Sequence, residues 1–220
     1  MVRRVPVLRG HTRTNRNHLS VIGPDFVFAY GSLIAVDAGF LAPGRDVWPV
    51  TAHGLRRGWY LPIPEDRNTG LGAIYARDGL CNGLLIEQSA AGLKEADDRE
   101  RKHGYDRVAL PARMLSPGGG SSVPQGRIWV YVTDHPVYPT VELPIAQSYL
   151  DVVLSGCLDI GLEFATQFIR TTDGWEYPWV DDRQNPRYRR ARPPDADLDA
   201  AVDGVLESAI PRMLAKRRSG

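Results

Sequence analysis

FVFAYGSLI, residues 26–34, predicts a short strand that runs directly into a glycine turn. Its first five residues are all apolar or aromatic, which is typical of a strand buried on both faces. Gly31 and Ser32 then end the strand. Backbone N–H groups in such a turn can form a nest that binds an anion, and glycine lets a ligand approach the backbone closely. The alternative is a plain strand-to-helix turn that Ser32 caps.

A charged segment further along the chain, ADDRERKHGY at residues 96–105, lies at the end of a predicted helix. Ser89 is a suitable N-cap for this helix, which we expect to continue to about Lys102. Leu93 and Ala96 fall on one face of it. Taken alone, such a charged helix end most often forms a solvated face.

The other patterns predict strands up to residue 133 and helices beyond it. The predicted strands cover residues 26–30, 50–60, 72–76, 82–87, 105–110 and 128–133, with a hairpin turn at 77–79 and a flexible loop at 116–122. The predicted helices of the second part cover residues 144–158, 161–169 and 195–216, with a loop rich in Trp and Arg at 175–190. The sequence therefore predicts an α+β domain with a helical C-terminal extension.

The composition is that of a chain that can bury a core. Of its 220 residues 43% are hydrophobic, and the formal net charge is +1, so charge suggests no nucleic-acid partner. Cys81 and Cys157 lie in apolar surroundings and cannot form a disulfide framework, which predicts reduced thiols in a cytoplasmic protein. No apolar run is long enough to span a bilayer, and the basic residues 1–24 are expected to form a partly disordered arm.

The common catalytic patterns are missing from the sequence. It has no His-Glu-x-x-His helix, no Cys-x-x-Cys pair, no phosphate-binding Gly-Lys loop and no dinucleotide fingerprint, and its five histidines show no metal-ligand spacing. We therefore expect neither a metal nor a cofactor. Asp181 and Asp182 could bind a cation, but an acidic pair beside Arg183 is more often a salt-bridged turn.

In combination, three segments resemble the γ-glutamylcyclotransferase-like superfamily. They are the Tyr-Gly-Ser-Leu-Ile run at residues 30–34, Gly83-Leu84-Leu85, and Asp98-Arg99-Glu100 followed by Gly104-Tyr105. The last looks most like the glutathione-specific branch, in which a Leu-Asp-Tyr-Arg-Glu run precedes a Gly-Tyr pair. Aligned through Glu100, this chain has Asp98 where that branch has tyrosine and Ala96 where it has leucine. The resemblance covers about residues 25–133.

The resemblance implies an α+β fold built as a mixed β-barrel with packed helices. It divides the chain into an N-terminal arm at residues 1–24, a catalytic domain at 25–133 and a helical C-terminal extension at 134–220 packed on that domain. The short members of the family have no counterpart to this extension.

The resemblance also implies a set of site residues. Glu100 falls on the catalytic glutamate, which acts as general acid and base. The loop after the first strand holds the α-carboxylate of a γ-glutamyl group, and Tyr105 closes the second motif. The loop residues carried over in this way are Tyr30, Gly31, Ser32 and Leu33.

The activity implied by the resemblance is the cyclisation of a small γ-glutamyl compound to 5-oxoproline, with release of an amine. Glutathione, a γ-glutamyl dipeptide or a γ-glutamyl-protected biosynthetic intermediate would each serve as substrate. The alternative is a non-catalytic binding or interaction module on the same fold. Retention of Glu100 disfavours that alternative, whereas the Trp- and Arg-rich stretch at residues 175–190 suits an interface.

Residues 134–190 are expected to cover the leaving-group side of the pocket. Aromatic faces and guanidinium groups are well suited to hold a larger or anionic amine, and we assign Arg183 to that task. The alternative is ordinary packing, with Trp175 and Trp179 buried and Arg183 paired to one of the two adjacent aspartates.

Overall fold

The computed structural model describes residues 23–35, 46–118, 120 and 122–220. Apart from Gly23 and Pro24, the predicted arm at residues 1–24 lies outside the described residues. Two residues of the loop predicted at 116–122 also lie outside them, and the first part of that loop belongs to a short strand, Leu115–Pro117.

A long antiparallel hairpin forms the centre of the fold. Its strands are β2 (Val47–Ile63) and β3 (Asn68–Gln88), joined by a 3-10 turn at Pro64–Asp66. The hairpin turn predicted at residues 77–79 is wrong. The sequence there favours a turn locally, but β3 pairs with β2 on both sides of it, so the extra residues form a bulge opposite Gly54.

The remaining strands extend this hairpin into one sheet within the described part of the chain. They are β1 (Asp25–Ala29), β4 (Asp106–Ala109), β5 (Leu115–Pro117), β6 (Arg127–Val132), β7 (Ile145–Ala146), β8 (Thr172–Asp173), β9 (Trp179–Asp181) and β10 (Arg218–Ser219). One path through the sheet has the order β10-β9-β7-β3-β1-β6-β4, and β2 pairs with β3, β5 and β8. Beyond β6, the N–H of Thr133 donates to the carbonyl of Ala73 at 3.0 Å, which brings the sheet back onto the first half of β3.

Helix α1 (Ala90–Arg101) connects β3 to β4. As predicted, Ser89 is its N-cap, and the Ser89 hydroxyl accepts a hydrogen bond from the N–H of Gly92 at 3.1 Å. Leu93 and Ala96 are buried, so the helix packs through one face and presents its charged face to solvent. The predicted helix and its capping residue are confirmed.

The second half of the chain is mainly helical, with α2 (Gln147–Ile160), α3 (Leu162–Arg170), α4 (Ala196–Ala209) and α5 (Pro211–Leu214). Helix α2 begins three residues later than predicted because Ile145 and Ala146 pair as strand β7 between β3 and β9. The single helix predicted at residues 195–216 is interrupted at Ile210, since Pro211 has no N–H and disfavours helical geometry before it.

One large hydrophobic core joins the two halves of the chain. Trp59 and Leu71 from the hairpin pack in the same cluster as Leu150 of α2 and Phe168 of α3. A second cluster, including Phe26 and other residues of the first half, fills the interior of the curled sheet. The proposed boundary at residue 133 therefore runs through a shared core rather than through a linker.

Both cysteines, Cys81 and Cys157, are buried and unpaired. In the described part of the chain, no helix is both long and apolar enough to cross a membrane. The cytoplasmic location remains a prediction from the sequence.

Candidate functional site

A cavity of about 140 Å³ lies where strand β1 ends. Its lining includes the loop residues assigned from the sequence together with the proposed base, namely Tyr30, Gly31, Ser32, Leu33 and Glu100. These residues come from two segments about seventy positions apart in the chain, which the fold brings to one place. The cavity is therefore the candidate functional site.

The loop after β1 is held in a tight 3-10 turn. The N–H of Ile34 donates to the carbonyl of Gly31 at 3.0 Å. Gly31 has a φ of −139°, so a left-handed backbone is not the reason for glycine here. A Cβ at this position would lie 3.3 Å from the hydroxyl of Tyr149 and 3.5 Å from the Cβ of Leu71. The close approach of the Tyr149 hydroxyl leaves little room for a side chain at this turn.

Tyr149 on helix α2 belongs to the candidate site, whereas the sequence predicted only a helix at residues 144–158 there. It lines the cavity, and its hydroxyl accepts a hydrogen bond from the N–H of Leu71 at 3.2 Å. Burial raises the pKa of Tyr149, while hydrogen bonds from Leu71 and Ser32 act in the opposite direction. The phenol is thus a neutral group that connects the loop to the second half of the chain.

Glu100 lies at the C-terminal end of α1, with its side chain 17% exposed. Nε of the adjacent Arg99 donates to Oε1 of Glu100 at 3.0 Å. This ion pair fixes the orientation of the carboxylate. The position of Glu100 is fixed by the chain reversal after it, where Gly104 has a φ of 75° that ends the helix.

The tyrosines near Glu100 are protonated hydrogen-bond donors. The hydroxyl of Tyr30 donates to the carbonyl of Tyr131 at 2.7 Å, and the hydroxyl of Tyr131 donates to Oδ1 of Asp97 at 2.9 Å. Burial is the main cause that raises the pKa of both tyrosines, and the charge of Glu100 adds to it. Neither phenol can therefore act as a base near neutral pH, which leaves this task to a carboxylate or to His103.

Comparison with known proteins supports the architecture. Neither a protein-family model nor a curated protein matches the sequence. A solved γ-glutamyl cyclotransferase matches with a TM-score of 0.51 and 11% identity, over 81% of this chain and 98% of that one. A protein from Homo sapiens described as uncharacterized, loc79017, gives a TM-score of 0.51 and 12% identity over 81% of this chain and 97% of that one.

The crystal structure of YkqA from Bacillus subtilis matches with a TM-score of 0.50 and 18% identity. The match covers 67% of this chain and 54% of YkqA, so this chain spans about half the length of that protein. The chain has the γ-glutamylcyclotransferase fold. At these identities the likeness concerns the fold, and it confirms the fold class that the short motifs implied.

In this γ-glutamylcyclotransferase fold, Tyr105 does not line the cavity. It is 3% exposed and packs against the backbone of Gly72, and its hydroxyl has no hydrogen-bond partner among the described residues. Its N–H donates to the carbonyl of Glu100 at 3.1 Å. Tyr105 therefore supports the end of the helix that carries Glu100.

Arg183, which the sequence assigned to the substrate site, does not line this cavity. Its guanidinium is engaged by Asp151 and Asp203, each at 2.8 Å. The adjacent Asp182 accepts hydrogen bonds from the N–H and the hydroxyl of Ser148 and from the N–H of Arg187. The acidic pair at residues 181–182 thus belongs to the packing of this segment. Across the described residues, no group of three acids, histidines or cysteines is placed to hold a metal ion.

Three consecutive residues after Arg183, namely Tyr188, Arg189 and Arg190, do line the cavity. The ring of Tyr188 packs edge-on against Tyr149 with a centroid distance of 4.9 Å. Arg189 forms ion pairs with Glu65 and Asp66 in the turn between β2 and β3. The Trp- and Arg-rich composition pointed to this segment, but local sequence gave no reason to prefer Arg189 or Arg190 over Arg183.

Replacing Arg183 by alanine is expected to destabilise the fold without changing substrate preference. The change leaves Asp151, whose side chain is 4% exposed, as a buried charge without its guanidinium partner, and breaking such a pair costs about 3 kcal/mol. Urea unfolding at pH 7 measures the effect. Arg101→Ala is the control, because its pair with Asp98 is exposed and is worth less than about 1 kcal/mol.

The cluster around Arg183 also predicts a pH dependence. Burial opposes ionisation of Asp203, but hydrogen bonds from Arg183 and Arg217 lower its pKa below the ordinary value. The stabilisation is therefore present above the ordinary carboxylate range and is lost as the pH falls through the lowered pKa. Arg183→Ala should lose less stability than the wild type on acidification, and an equal loss in both proteins would contradict the structural role.

Proposed function

We propose that this protein is a γ-glutamylcyclotransferase that converts a small γ-glutamyl compound into 5-oxoproline and an amine. The observation that carries the proposal is that Glu100 and the loop at residues 30–33 line one cavity. The fold supports it, because a protein with this activity in its name shares the architecture. The proposal includes Glu100 as the general acid and base.

The reaction needs one proton acceptor and a folded substrate. The α-amine of the glutamyl group attacks its own γ-carbonyl carbon, a new C–N bond closes the five-membered ring, and the bond to the leaving nitrogen breaks. The carboxylate of Glu100 takes a proton from the attacking amine and returns it to the leaving nitrogen. Because attack is intramolecular, holding the substrate in a ring-like pose supplies much of the rate.

The loop and Tyr149 are placed to hold that pose. In the proposed complex, the backbone of Gly31, Ser32 and Leu33 binds the α-carboxylate, which is the role that the resemblance implies. The hydroxyl of Tyr149 lies on this loop and supplies a further hydrogen-bonding group to a ligand bound there. With the carboxylate fixed at one end, the α-amine and the γ-carbonyl are directed toward the part of the cavity that Glu100 lines.

Unlike Arg183, the segment at residues 188–190 lines the cavity. It contributes an aromatic ring and two guanidinium groups to the lining. We therefore propose that the extension covers the leaving-group side of the cavity through this segment. Glutathione, a γ-glutamyl dipeptide and a γ-glutamyl biosynthetic intermediate all remain candidate substrates.

The non-catalytic alternative loses part of its support. Its argument from the sequence was that the Trp- and Arg-rich stretch at residues 175–190, which includes Trp175 and Trp179, suits an interface. In the structure both rings are buried, at 6% and 2% exposure, and belong to the main hydrophobic core. These two tryptophans are therefore accounted for by the stability of the fold.

The proposal is tested by incubating the purified protein with a panel of γ-glutamyl compounds and detecting 5-oxoproline by mass spectrometry. The panel contains glutathione, γ-glutamyl dipeptides and γ-glutamyl alkylamides, each with its α-linked isomer as a control. We expect 5-oxoproline from at least one γ-linked compound and from none of the α-linked isomers. A folded protein that forms no 5-oxoproline from any member of the panel would contradict the proposed activity.

A further inference from the structure

Asp66 is a buried acid with one oxygen that the described protein leaves unsatisfied. It lies in the turn between β2 and β3 and lines the cavity, and its side chain is 4% exposed. Oδ1 lies 3.2 Å from Nε of Arg189. Oδ2 has no hydrogen-bond partner among the described residues. A buried carboxylate oxygen without a donor is costly, because the desolvation of a charged group is not compensated.

Near Asp66, one guanidinium group, that of Arg189, is shared by two carboxylates. They belong to Asp66 and the neighbouring Glu65, whose Oε1 Arg189 contacts at 3.0 Å. His103 is close enough for its charge to lower the pKa of Glu65, after the larger effects of a backbone hydrogen bond and of Arg189. Arg190 also lines the cavity. With Arg189 divided between two carboxylates, Oδ2 of Asp66 remains available to a donor from a ligand.

The charged groups that face the cavity come from three regions of the chain. Helix α1 contributes Arg99 and Glu100 and the turn after it contributes His103, the turn between β2 and β3 contributes Asp66, and the C-terminal segment contributes Arg189 and Arg190. Glu100 already has the guanidinium of Arg99 at 3.0 Å. Among the two carboxylates in the lining, Asp66 is the one with an oxygen that lacks any donor.

We infer that Asp66 is a substrate-binding residue that accepts hydrogen bonds from a primary ammonium group. An ammonium has three donors and a full positive charge, so it satisfies Oδ2 and compensates the buried charge at once. This inference rests on the proposed function for its substrate class. In a γ-glutamyl compound the ammonium is either the α-ammonium of the glutamyl group or a second amine on the leaving group. Arg189 acts as a positioning residue that holds Oδ1, and in the proposed complex Oδ2 accepts from the ammonium.

The test compares two matched ligands, γ-L-glutamyl propylamide and γ-L-glutamyl 2-aminoethylamide, which differ by a methyl and an ammonium group. Their dissociation constants are measured by calorimetry for the wild type and for Asp66→Asn. Glu65→Gln is the matched control, because it removes the other partner of Arg189 and leaves Asp66 intact. Hydrogen bonds to a charged group predict at least about a 10-fold loss of affinity in Asp66→Asn and a much smaller loss in Glu65→Gln.

The pattern across ligands identifies the ammonium. An equal loss for both compounds assigns the α-ammonium, and a loss confined to the aminoethyl compound assigns the leaving group. Either pattern supports the inference, provided that thermal unfolding shows Asp66→Asn to be folded. If Asp66→Asn binds both compounds as tightly as the wild type does, or if the wild type binds neither, the inference is overturned.

Binding is measured separately from turnover so that the two proposals fail separately. If binding depends on Asp66 but no 5-oxoproline forms, the cyclotransferase proposal fails and the ammonium site stands. If 5-oxoproline forms with an unchanged KM and kcat in Asp66→Asn, the activity stands and the ammonium site is wrong.

Discussion

Glu100→Gln is expected to leave the protein folded and to lower kcat for 5-oxoproline formation by at least about a hundredfold. The amide has nearly the shape of the carboxylate but cannot accept a proton from the attacking amine. The substitution also removes the ion pair with Arg99, which is partly exposed and contributes less than about 1 kcal/mol. Stability should therefore change little while turnover is lost.

The measurement is the rate of 5-oxoproline formation at saturating substrate, together with a thermal unfolding curve for each protein. Glu95→Gln is the control, because it makes the same chemical change on an exposed position of helix α1. It is expected to retain wild-type kcat. Wild-type activity in a folded Glu100→Gln protein would show that another group is the base, and Asp66 and His103 would then be the next groups in the cavity to test.

Arg57→Met is expected to give the largest loss of stability, at least about 3 kcal/mol. Arg57 is fully buried, and its guanidinium donates to the carbonyls of Asn82 and Phe168, each at 2.7 Å, and to the hydroxyl of Thr172 at 2.7 Å. It also stacks 3.4 Å from the ring centroid of Phe168. Methionine fills part of the space but removes all of these hydrogen bonds at once, and a hydrogen bond to a charged group contributes about 1.5 to 3 kcal/mol.

Burial lowers the pKa of Arg57, but an arginine remains charged near neutral pH. Carbonyl and hydroxyl dipoles stabilise this charge, and they come from strand β3 and from the end of helix α3. Arg57 therefore ties the hairpin to the C-terminal helices. Its loss should expose the junction at residues 168–173 to limited proteolysis as well as lower the free energy of unfolding.

The neighbouring Arg56→Met is the control for this experiment. The side chain of Arg56 is 40% exposed, and its ion pair with Asp173 has a distance of 3.6 Å. Such a surface pair contributes less than about 1 kcal/mol. Equal unfolding midpoints for Arg57→Met and Arg56→Met would contradict the role of Arg57 as a buried link between the two halves.

Several features of this protein follow from short stretches of sequence. Strand β1 and its glycine turn could be predicted because five apolar residues and a glycine leave few alternatives locally. Helix α1 could be predicted from Ser89 because a capping hydroxyl acts within its own turn. Glu100 and the loop at residues 30–33 were found through motifs whose residues are each adjacent in the chain, and the structure places these two segments in one cavity.

Other features depend on partners that are far away in the chain. Asp78 and Gly79 favour a turn, yet strand β3 continues past them because β2 pairs with it on both sides. Arg183 and Arg189 are both arginines of the Trp- and Arg-rich stretch at residues 175–190. Arg183 forms ion pairs with Asp151 and Asp203, where the helices pack. Arg189 lines the cavity and forms an ion pair with Glu65, which is 124 positions away in the chain. No local pattern separates the two, because the difference lies in which acids the folded chain places beside each guanidinium.

The same reason applies to Tyr149 and Asp66. In sequence, Tyr149 is one apolar position on a helix and Asp66 is one polar residue in a turn. Their roles arise when the helix packs on the loop after β1 and when the C-terminal segment closes over the turn. The local sequence thus indicated the two motifs of the candidate site and the elements that carry them. Long-range packing determined which other residues line the cavity around those motifs. Whether a side chain is buried, and whether its hydrogen-bonding groups are satisfied, depends on the whole fold.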